Sequence, residues 1–249
     1  MPELSMVMPM AGRGSRFGRE GVEMPKPLID LGGRPFFWWA TESLLRSARV
    51  REMVFVVLDE HVRDFAIERR IREYYPDARV VALPGVTSGA AETARIGVEA
   101  LASAGPVAVN DCDHAFSCPE LSVVAGELEA GTDSALLCFP SESPAYSYVR
   151  LDADGRVTGT VEKQAASPWA IAGCYLFSGP ERFLELFEDY RLSCPYDELF
   201  VSGLYNRLAA NGGRIAKLEA SAHVSFGTPA ELHAVDPNSL TKRLGWREA

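Results

Sequence analysis

The chain has 249 residues, of which 47% are hydrophobic and 24% are charged, a balance typical of a globular protein with a sizeable core. Its net charge of −9 argues against a general nucleic-acid binder, because a basic surplus is needed to replace phosphate counterions. The five cysteines lack paired C-x-x-C spacing, which favours reduced thiols over disulfides or a zinc site. No run of about eighteen apolar residues and no signal-like N-terminus are present, so we expect a soluble, cytoplasmic protein without membrane contact.

Short apolar segments and helical patterns alternate from the N-terminus to Pro140. Strands are predicted at 4–10, 53–58, 79–83, 106–110 and 134–139. Helices are predicted between them at 36–47, 60–75, 90–104 and 119–130. This repetition of strand and helix predicts a mostly parallel sheet that is covered by helices on both faces.

Beyond Pro140 the pattern becomes richer in strands. Strands are predicted at 146–151 and 156–161, and Asp154-Gly155 between them favours a hairpin turn because glycine accepts positive φ. Further strands are predicted at 170–177 and 214–219, and helices at 180–190 and 198–210. No repeat or linker divides the chain. We therefore predict one domain over 1–249, with a nucleotide-binding half of about 1–140 and an acceptor-binding half of about 141–249.

The strongest functional signal is the segment after the first strand, MAGRGSRFGREGVEMPKPL. Gly12 and Gly14 lack the Cβ atoms that would keep backbone N–H groups away from phosphate oxygens. Arg16 and Lys26 add a planar guanidinium and a compact ammonium, which hold phosphate oxygens in two different ways. This order of groups predicts a site for a nucleoside triphosphate from which pyrophosphate leaves.

Two common nucleotide motifs are absent from this segment. A Rossmann fingerprint requires a third glycine where Phe17 stands, and a Walker loop requires a Gly-Lys-Ser/Thr end. The G-x-G-x-R-F loop followed by P-K-P-L instead resembles the sugar-nucleotidyltransferase family. The resemblance implies the nucleotide-diphospho-sugar-transferase fold, which is a three-layer α/β/α sandwich with a mostly parallel, Rossmann-like sheet and a β-rich sugar-binding insertion.

The resemblance also implies a reaction. A phosphate oxygen of a sugar phosphate, or of a similar phospho-acceptor such as phosphocholine, would attack the α-phosphorus of a nucleoside triphosphate and release pyrophosphate. Arg16 is then expected to hold the leaving phosphates, and Lys26 to offset charge at the α-phosphate. The residues expected to bind the nucleotide in this loop are Met10, Ala11, Gly12, Gly14 and Ser15.

A second group of polar residues follows the strand predicted at 106–110. Asp111 and Asp113 lie at the carboxyl edge of the predicted sheet, where open α/β sheets bind ligands. Carboxylates completed by phosphates and water are the ligands that Mg²⁺ prefers. The resemblance assigns Mg²⁺ to Asp113 and places Asp111 beside the nucleotide. The structural alternative is that both aspartates cap the following turn.

Weaker signals match the family in the same order. Gly89 and Ala90 stand where the family contacts the nucleobase, although they also fit an ordinary helix start. Glu162 and Lys163 match an E-K pair near the sugar phosphate, and a solvated ion pair would explain them too. Gly173 matches a glycine that lets the backbone approach the sugar, but a strand glycine can also mark a bulge.

Two further polar signals have simple structural explanations. Asp197 and Glu198 open a predicted helix, where acidic residues are favoured without any ligand, so we interpret them as structural. The histidines show no metal-ligand spacing, although His114 adjoins Asp113.

One element departs from the family pattern. The segment Ser225-Phe226-Gly227-Thr228-Pro229 resembles the D-x-G-T-P element, but a serine replaces the aspartate that commonly supplies a second metal ligand. Asp113 and the phosphates then hold the metal alone, another acid substitutes, or activity is lost. Two alternatives therefore stay open: a glycosyltransferase on the same fold, and a non-catalytic nucleotide- or sugar-binding homologue. Any homo-oligomer would form through the catalytic domain.

Overall fold

The computed structural model describes residues 3–246. The strands are β1 (Glu3–Pro9), β2 (Asp30–Leu31), β3 (Arg34–Pro35), β4 (Arg49–Leu58), β5 (Arg79–Leu83), β6 (Val107–Asn110), β7 (His114–Ser117), β8 (Ser134–Pro140), β9 (Ser147–Leu151), β10 (Val157–Glu162), β11 (Trp169–Phe177), β12 (Ile215–Glu219) and β13 (Ala222–Ser225). The helices are α1 (Ser15–Gly18), α2 (Phe36–Ser47), α3 (Asp59–Phe65), α4 (Ile67–Tyr74), α5 (Ala90–Glu99), α6 (Leu121–Glu129), α7 (Pro180–Arg191), α8 (Leu204–Ala210), α9 (Pro229–Ala234) and α10 (Leu240–Arg243). Among these described helices, none has the length and the apolar composition that spanning a bilayer requires.

Nine strands form one central sheet. Its main path runs β10-β9-β11-β6-β1-β4-β5, with β8 on the other side of β11 and β12 beside β8. The neighbours β6, β1, β4 and β5 are parallel, as are β8 and β12, whereas β11 is antiparallel to the strands on both of its sides. Residues on both sides of Pro140 therefore contribute to the same sheet, which continues where β11 pairs with β6.

Alternate residues of β1 face opposite layers of helices. Leu4, Met6 and Met8 are fully buried in a core that also contains side chains from α2, α4 and α6. Val7 points the other way, into a core shared with α5, α7 and α8. This alternation is the period of two expected for a strand that is buried on both faces. The predicted α/β/α sandwich with a mainly parallel central sheet is therefore confirmed.

A third apolar cluster is separate from these two cores. It contains Phe17 from α1, Phe36 from the start of α2 and Phe226 after β13, and the rings of Phe36 and Phe226 are 4.6 Å apart. The short antiparallel pair β7–β13 adds to it and sets Ser225 opposite His114. The glycine loop and the segment after β13 are thereby fixed beside the end of β6.

Two predicted helices differ from those in the structure. The helix predicted over 60–75 is divided into α3 and α4 by Ala66, whose φ of +51° lies in the left-handed region. The helix predicted over 198–210 begins only at Leu204. Phe200 is extended, with φ −79° and ψ 142°, and the Leu199 carbonyl accepts a hydrogen bond from the N–H of Ala91 at 2.8 Å, so a helix does not continue through this stretch.

Gly97 of α5 gives a test of how closely this helix packs on the sheet. A Cβ at position 97 would overlap Cγ1 of Val7 and lie 2.8 Å from Cγ2 of Val56. We expect Gly97→Ala to lower the free energy of unfolding by about 1–3 kcal/mol, because overpacking outweighs the roughly 1 kcal/mol that alanine contributes in a helix interior. Urea denaturation measures the change. In a Val7→Ala background the loss should shrink, and an equal loss in both backgrounds would contradict this account.

Candidate active site

A cleft of about 650 Å³ opens where the parallel strands β1 and β6 end. Its walls come from the glycine loop, the loop before α5, the turn after β6, the end of β10 and the segment before α8. The carboxyl ends of parallel strands are the usual ligand site of open α/β sheets. The cleft brings together most of the predicted site residues, namely Met10, Ala11, Gly12, Gly14, Arg16, Lys26, Gly89, Ala90, Asp111, Asp113, Glu162 and Lys163.

The glycine loop and Lys26 are packed against each other. Gly14 has a φ of +60°, and a Cβ there would lie 3.0 Å from Cβ of Lys26, so both the conformation and the space favour glycine. Lys26 begins a 3₁₀ turn between two buried prolines, which fixes its backbone. Arg16 is exposed on the cleft wall, whereas Ser15, at the start of α1, does not line the cleft.

Lys26 forms an ion pair with Asp113. Its Nζ atom lies 3.0 Å from Oδ2 of Asp113, and both side chains are largely buried. Burial by itself would lower the pKa of Lys26, but the neighbouring acidic groups, chiefly Asp113, together outweigh it and raise the pKa above its ordinary value. Burial would likewise raise the pKa of Asp113, but the charge of Lys26, its hydrogen bond and the nearby His114 together hold that pKa well below its usual range. Both groups are therefore charged at neutral pH.

For Asp111 the effect of burial is compensated only in part. Burial and the negative charge of Asp113 raise the pKa of Asp111 to about 8, although Lys26 opposes the shift. Its backbone N–H donates to the carbonyl of Gly173 at 2.7 Å, which ties the turn after β6 to β11. The Lys26 ammonium thus interacts with two carboxyl groups, and an additional positive charge at this site would favour ionisation of both.

Within residues 3–246, Asp111, Asp113 and His114 form a group that could hold a metal. One ligand atom from each lies within 4.8 Å of the others. Two carboxylates with an imidazole are a suitable donor set for a divalent cation. The residues present therefore fit a metal site at the position that the sequence predicts for Mg²⁺.

Ser225 lies opposite His114 in the β7–β13 pair and hydrogen-bonds to Glu231. Its hydroxyl donates to Oε1 of Glu231 at 2.9 Å, and Thr228 donates to the other carboxylate oxygen at 3.0 Å. Tyr146 also donates to Glu231. Glu231 thus accepts hydrogen bonds from three hydroxyls, one of which belongs to the serine that replaces the family's aspartate.

The loop before α5 is fastened to the opposite wall of the cleft. Two backbone hydrogen bonds make this connection. The N–H of Leu199 donates to the Ser88 carbonyl at 2.9 Å, and the N–H of Ala91, at the start of α5, donates to the Leu199 carbonyl at 2.8 Å. Gly89 has a φ of +152°, and a Cβ there would lie 2.6 Å from the Leu199 oxygen. Glycine is therefore required at position 89 for close approach of the two backbones.

Glu162 and Lys163 line the cleft where β10 ends. Glu162 accepts a hydrogen bond from the hydroxyl of Ser202. Lys163 has a φ of +53°, and its Nζ lies 5.4 Å from the ring centre of Phe200. A non-glycine residue in the left-handed region is strained, and such strain is often found at functional sites.

Gly173 does not line the cleft. It lies behind the turn after β6, where a Cβ would be 2.7 Å from Cδ2 of His114 and 3.0 Å from Cβ of Asp111. Its position suits close packing of β11 against this turn, whereas the family resemblance predicts a contact with the acceptor.

Several residues that line the cleft were not predicted. Asp197 and Glu198 line it, and the helix opening that suggested a structural role for them is absent. Thr87, Thr93 and Tyr175 line it as well, and the two threonine hydroxyls are 2.6 Å apart. Residue spacing alone gives no signal for these three, because their positions depend on how distant segments meet.

The sequence of this chain is similar to those of known nucleotidyltransferases. Residues 7–150 match the model of the MobA-like NTP transferase domain. The 2-C-methyl-D-erythritol 4-phosphate cytidylyltransferases of Rhodococcus jostii (strain RHA1) and Rhodococcus opacus (strain B4) are each 30% identical over 158 residues. That match covers 63% of this chain and 64% of each relative, which is just under two thirds of the relatives' own length.

Solved structures share the fold. The nucleoside-diphosphate-sugar pyrophosphorylase from Vibrio cholerae RC9 superposes with a TM-score of 0.78 at 23% identity, over 92% of this chain and 98% of that one. The inositol-1-phosphate CTP transferase from T. maritima gives a TM-score of 0.75 at 12% identity, over 98% and 96%. Likenesses at these identities establish the architecture.

The raised pKa of Asp111 predicts a pH-dependent gain in stability for Asp111→Asn. The folded protein retains the Asp111 proton up to about pH 8, whereas the unfolded chain releases it near 3.8. Folding therefore becomes less favourable as the pH rises through this window, and asparagine removes that dependence. The stability difference between variant and wild type should grow by at least about 1.4 kcal/mol between pH 5 and pH 8 in urea denaturation.

Asp113→Asn is the matched opposite case. Because the pKa of Asp113 is depressed in the folded protein, its ionised carboxylate stabilises the fold at every pH above its ordinary pKa of 3.8. This contribution is lost only when the pH falls below that value. Asparagine would leave Lys26 without its partner and should lower the free energy of unfolding at pH 7 by about 1–3 kcal/mol. If both variants shifted stability in the same direction at pH 8, the raised pKa of Asp111 would be the wrong assignment.

Proposed function

The chain belongs to the MobA-like NTP transferase family, as the resemblance of its glycine loop predicts, and from this premise we propose the reaction. It transfers a nucleotidyl group from a nucleoside triphosphate to a phosphate oxygen of a sugar phosphate or a related phospho-alcohol. The proposal rests on the ion pair between Lys26 and Asp113, just after the end of β6. That pair supplies fixed positive charge for phosphates and a carboxylate for their counter-cation in one place.

The proposed chemistry requires no covalent bond to the protein. An acceptor phosphate oxygen forms a bond to the α-phosphorus, and the bond from that phosphorus to the bridging oxygen of the β-phosphate breaks. The electron pair leaves with pyrophosphate. The protein's work is therefore positioning and neutralisation of charge.

Each charged residue of the glycine loop has a separate part. Arg16, exposed on the cleft wall, is free to follow the β- and γ-phosphates as pyrophosphate forms. Lys26 is fixed by its 3₁₀ turn and is suited to the α-phosphate, where the reacting atoms must stay aligned. Asp111 and Asp113 would hold Mg²⁺, which when bound neutralises phosphate charge.

The acceptor is assigned to the end of the cleft at Glu162 and Lys163. The Lys163 ammonium would bind the acceptor phosphate, and the Glu162 carboxylate would accept hydrogen bonds from hydroxyls of the acceptor. Because the Rhodococcus relatives are named as cytidylyltransferases, CTP is the first triphosphate to test.

The direct test is release of pyrophosphate with Mg²⁺, with CTP, UTP, dTTP and GTP crossed against sugar 1-phosphates, polyol phosphates and phosphocholine. A signal that requires one triphosphate and one acceptor together would establish the reaction. Release of a nucleoside diphosphate from a sugar nucleotide would instead indicate a glycosyltransferase. Absence of turnover, despite stabilisation by a triphosphate, would indicate a binding protein and contradict the proposal.

Lys26→Ala should reduce turnover about a hundredfold or more, because one fixed cation at the reacting phosphate is lost. Arg13→Ala is the matched control, since Arg13 lies in the same loop but pairs at the surface with Glu60 at 3.4 Å. The control should stay within about threefold of wild type. Normal turnover in a folded Lys26→Ala variant would remove Lys26 from the mechanism.

Lys163→Gly separates backbone strain from charge. Glycine adopts a φ of +53° freely, so this variant should gain about 1 kcal/mol of stability in thermal or urea unfolding. Loss of the ammonium should raise KM for the acceptor about tenfold or more, with little change in KM for the triphosphate. Lys163→Ala is the control that loses the charge but keeps the strain. Equal stability of the two variants would contradict the assignment of strain to position 163.

A further inference from the structure

His114, the residue after Asp113, is held in one orientation by a second histidine. Its Nδ1 atom lies 2.8 Å from Nε2 of His223. The ring of His223 is in turn stacked on Phe139, with centroids 3.7 Å apart. Since Nδ1 of His114 is occupied in this contact, its other nitrogen, Nε2, is the one left to face the cleft side of the turn.

Nε2 of His114 lies 3.7 Å from Oδ1 of Asp113. This is too long for an N–H···O hydrogen bond, which needs about 3.2 Å or less. It is instead a separation suited to two ligands of one ion, because donors with bonds of about 2.1 Å stand roughly 3.0–4.2 Å apart. The ligand atom of Asp111 completes the set, with all three within 4.8 Å of one another.

Two glycines pack around these three donors. Gly173, at a φ of +70°, leaves no room for a side chain between itself, His114 and Asp111. Gly227 does the same for Asp113, since a Cβ there would overlap Oδ2 of that carboxylate. The backbone of Phe226 also donates to the Asp113 carbonyl at 3.0 Å. Distant segments thus close on the turn after β6 and hold its donors at short distance.

We propose that Nε2 of His114 is the third ligand of a divalent-cation site formed with Asp111 and Asp113, and that this nitrogen makes the site bind Mn²⁺ and Co²⁺ in preference to Mg²⁺. Imidazole is a ligand for transition metals, whereas Mg²⁺ strongly prefers oxygen. His223 is a positioning residue, which fixes the ring through Nδ1 as outer-shell partners of metal-bound histidines do. The role of this metal in catalysis rests on the proposed function. Binding of the metal itself can be measured without substrates.

The test uses the full chain loaded with Mn²⁺ alone and examined by electron spin-echo envelope modulation. Wild type should show nitrogen coupling from one coordinated imidazole, and His114→Gln should lose it. His233→Gln is the matched control, because His233 is exposed on α9, and it should keep the signal. The Kd for Mn²⁺ should rise about 10- to 100-fold in His114→Gln, and about tenfold in His223→Gln, which should retain the coupling. The Kd for Mg²⁺ should change less than threefold in all of these variants.

Three results would overturn the proposal. They are no nitrogen coupling in wild type, unchanged coupling in His114→Gln, and a Kd for Mn²⁺ no lower than that for Mg²⁺. If His114→Gln does not fold, wild type labelled with ¹⁵N-histidine decides the matter, because the coupling must change with the isotope. Release of pyrophosphate is measured in parallel. Turnover without nitrogen coupling would refute this site alone, and coupling without turnover would refute only the proposed reaction.

Discussion

The ammonium of Lys26 lies beside two carboxylates that the end of β6 buries close together. It pairs with Asp113 and offsets the charge of an ionised Asp111 only in part, so ionisation of Asp111 would be favoured by an additional positive charge. Several other features depend on this arrangement. Gly14 must be small because Lys26 packs on it, the flanking prolines fix the approach of Lys26, and the third apolar cluster holds both sides of the pair in place. The divalent cation that we propose would supply positive charge at this turn.

Local sequence signals were sufficient for much of the fold and for one side of the cleft. Strands buried on both faces give continuous apolar runs, and the glycine loop with Lys26 is a single segment, so both can be interpreted without knowledge of distant contacts. The pairing of His114 with His223 could not be predicted, because the two residues lie in separate short strands, β7 and β13. The same limit explains why the sequence did not predict the position of Gly173, which lies behind Asp111 and does not line the cleft.

The segment before α8 shows how tertiary contacts override local propensity. Its acidic residues look like the first turn of a helix, and that pattern led to a structural interpretation of Asp197 and Glu198. Backbone hydrogen bonds from Leu199 to the loop before α5 hold the segment extended, and both carboxylates line the cleft as a result. Since the competing interaction is made by backbone atoms, no side-chain pattern in the segment could indicate it.

These backbone bonds also bear on how such a protein can diversify. The two walls of the cleft are joined at Leu199 through an N–H and a carbonyl, which every residue except proline possesses. Neighbouring side chains, including those of Asp197, Glu198 and Phe200, can therefore be exchanged while the spacing between the two walls stays constant. If the proposed function holds, selection for a new acceptor can act on this wall one residue at a time, without disturbing the loop before α5 on the other side.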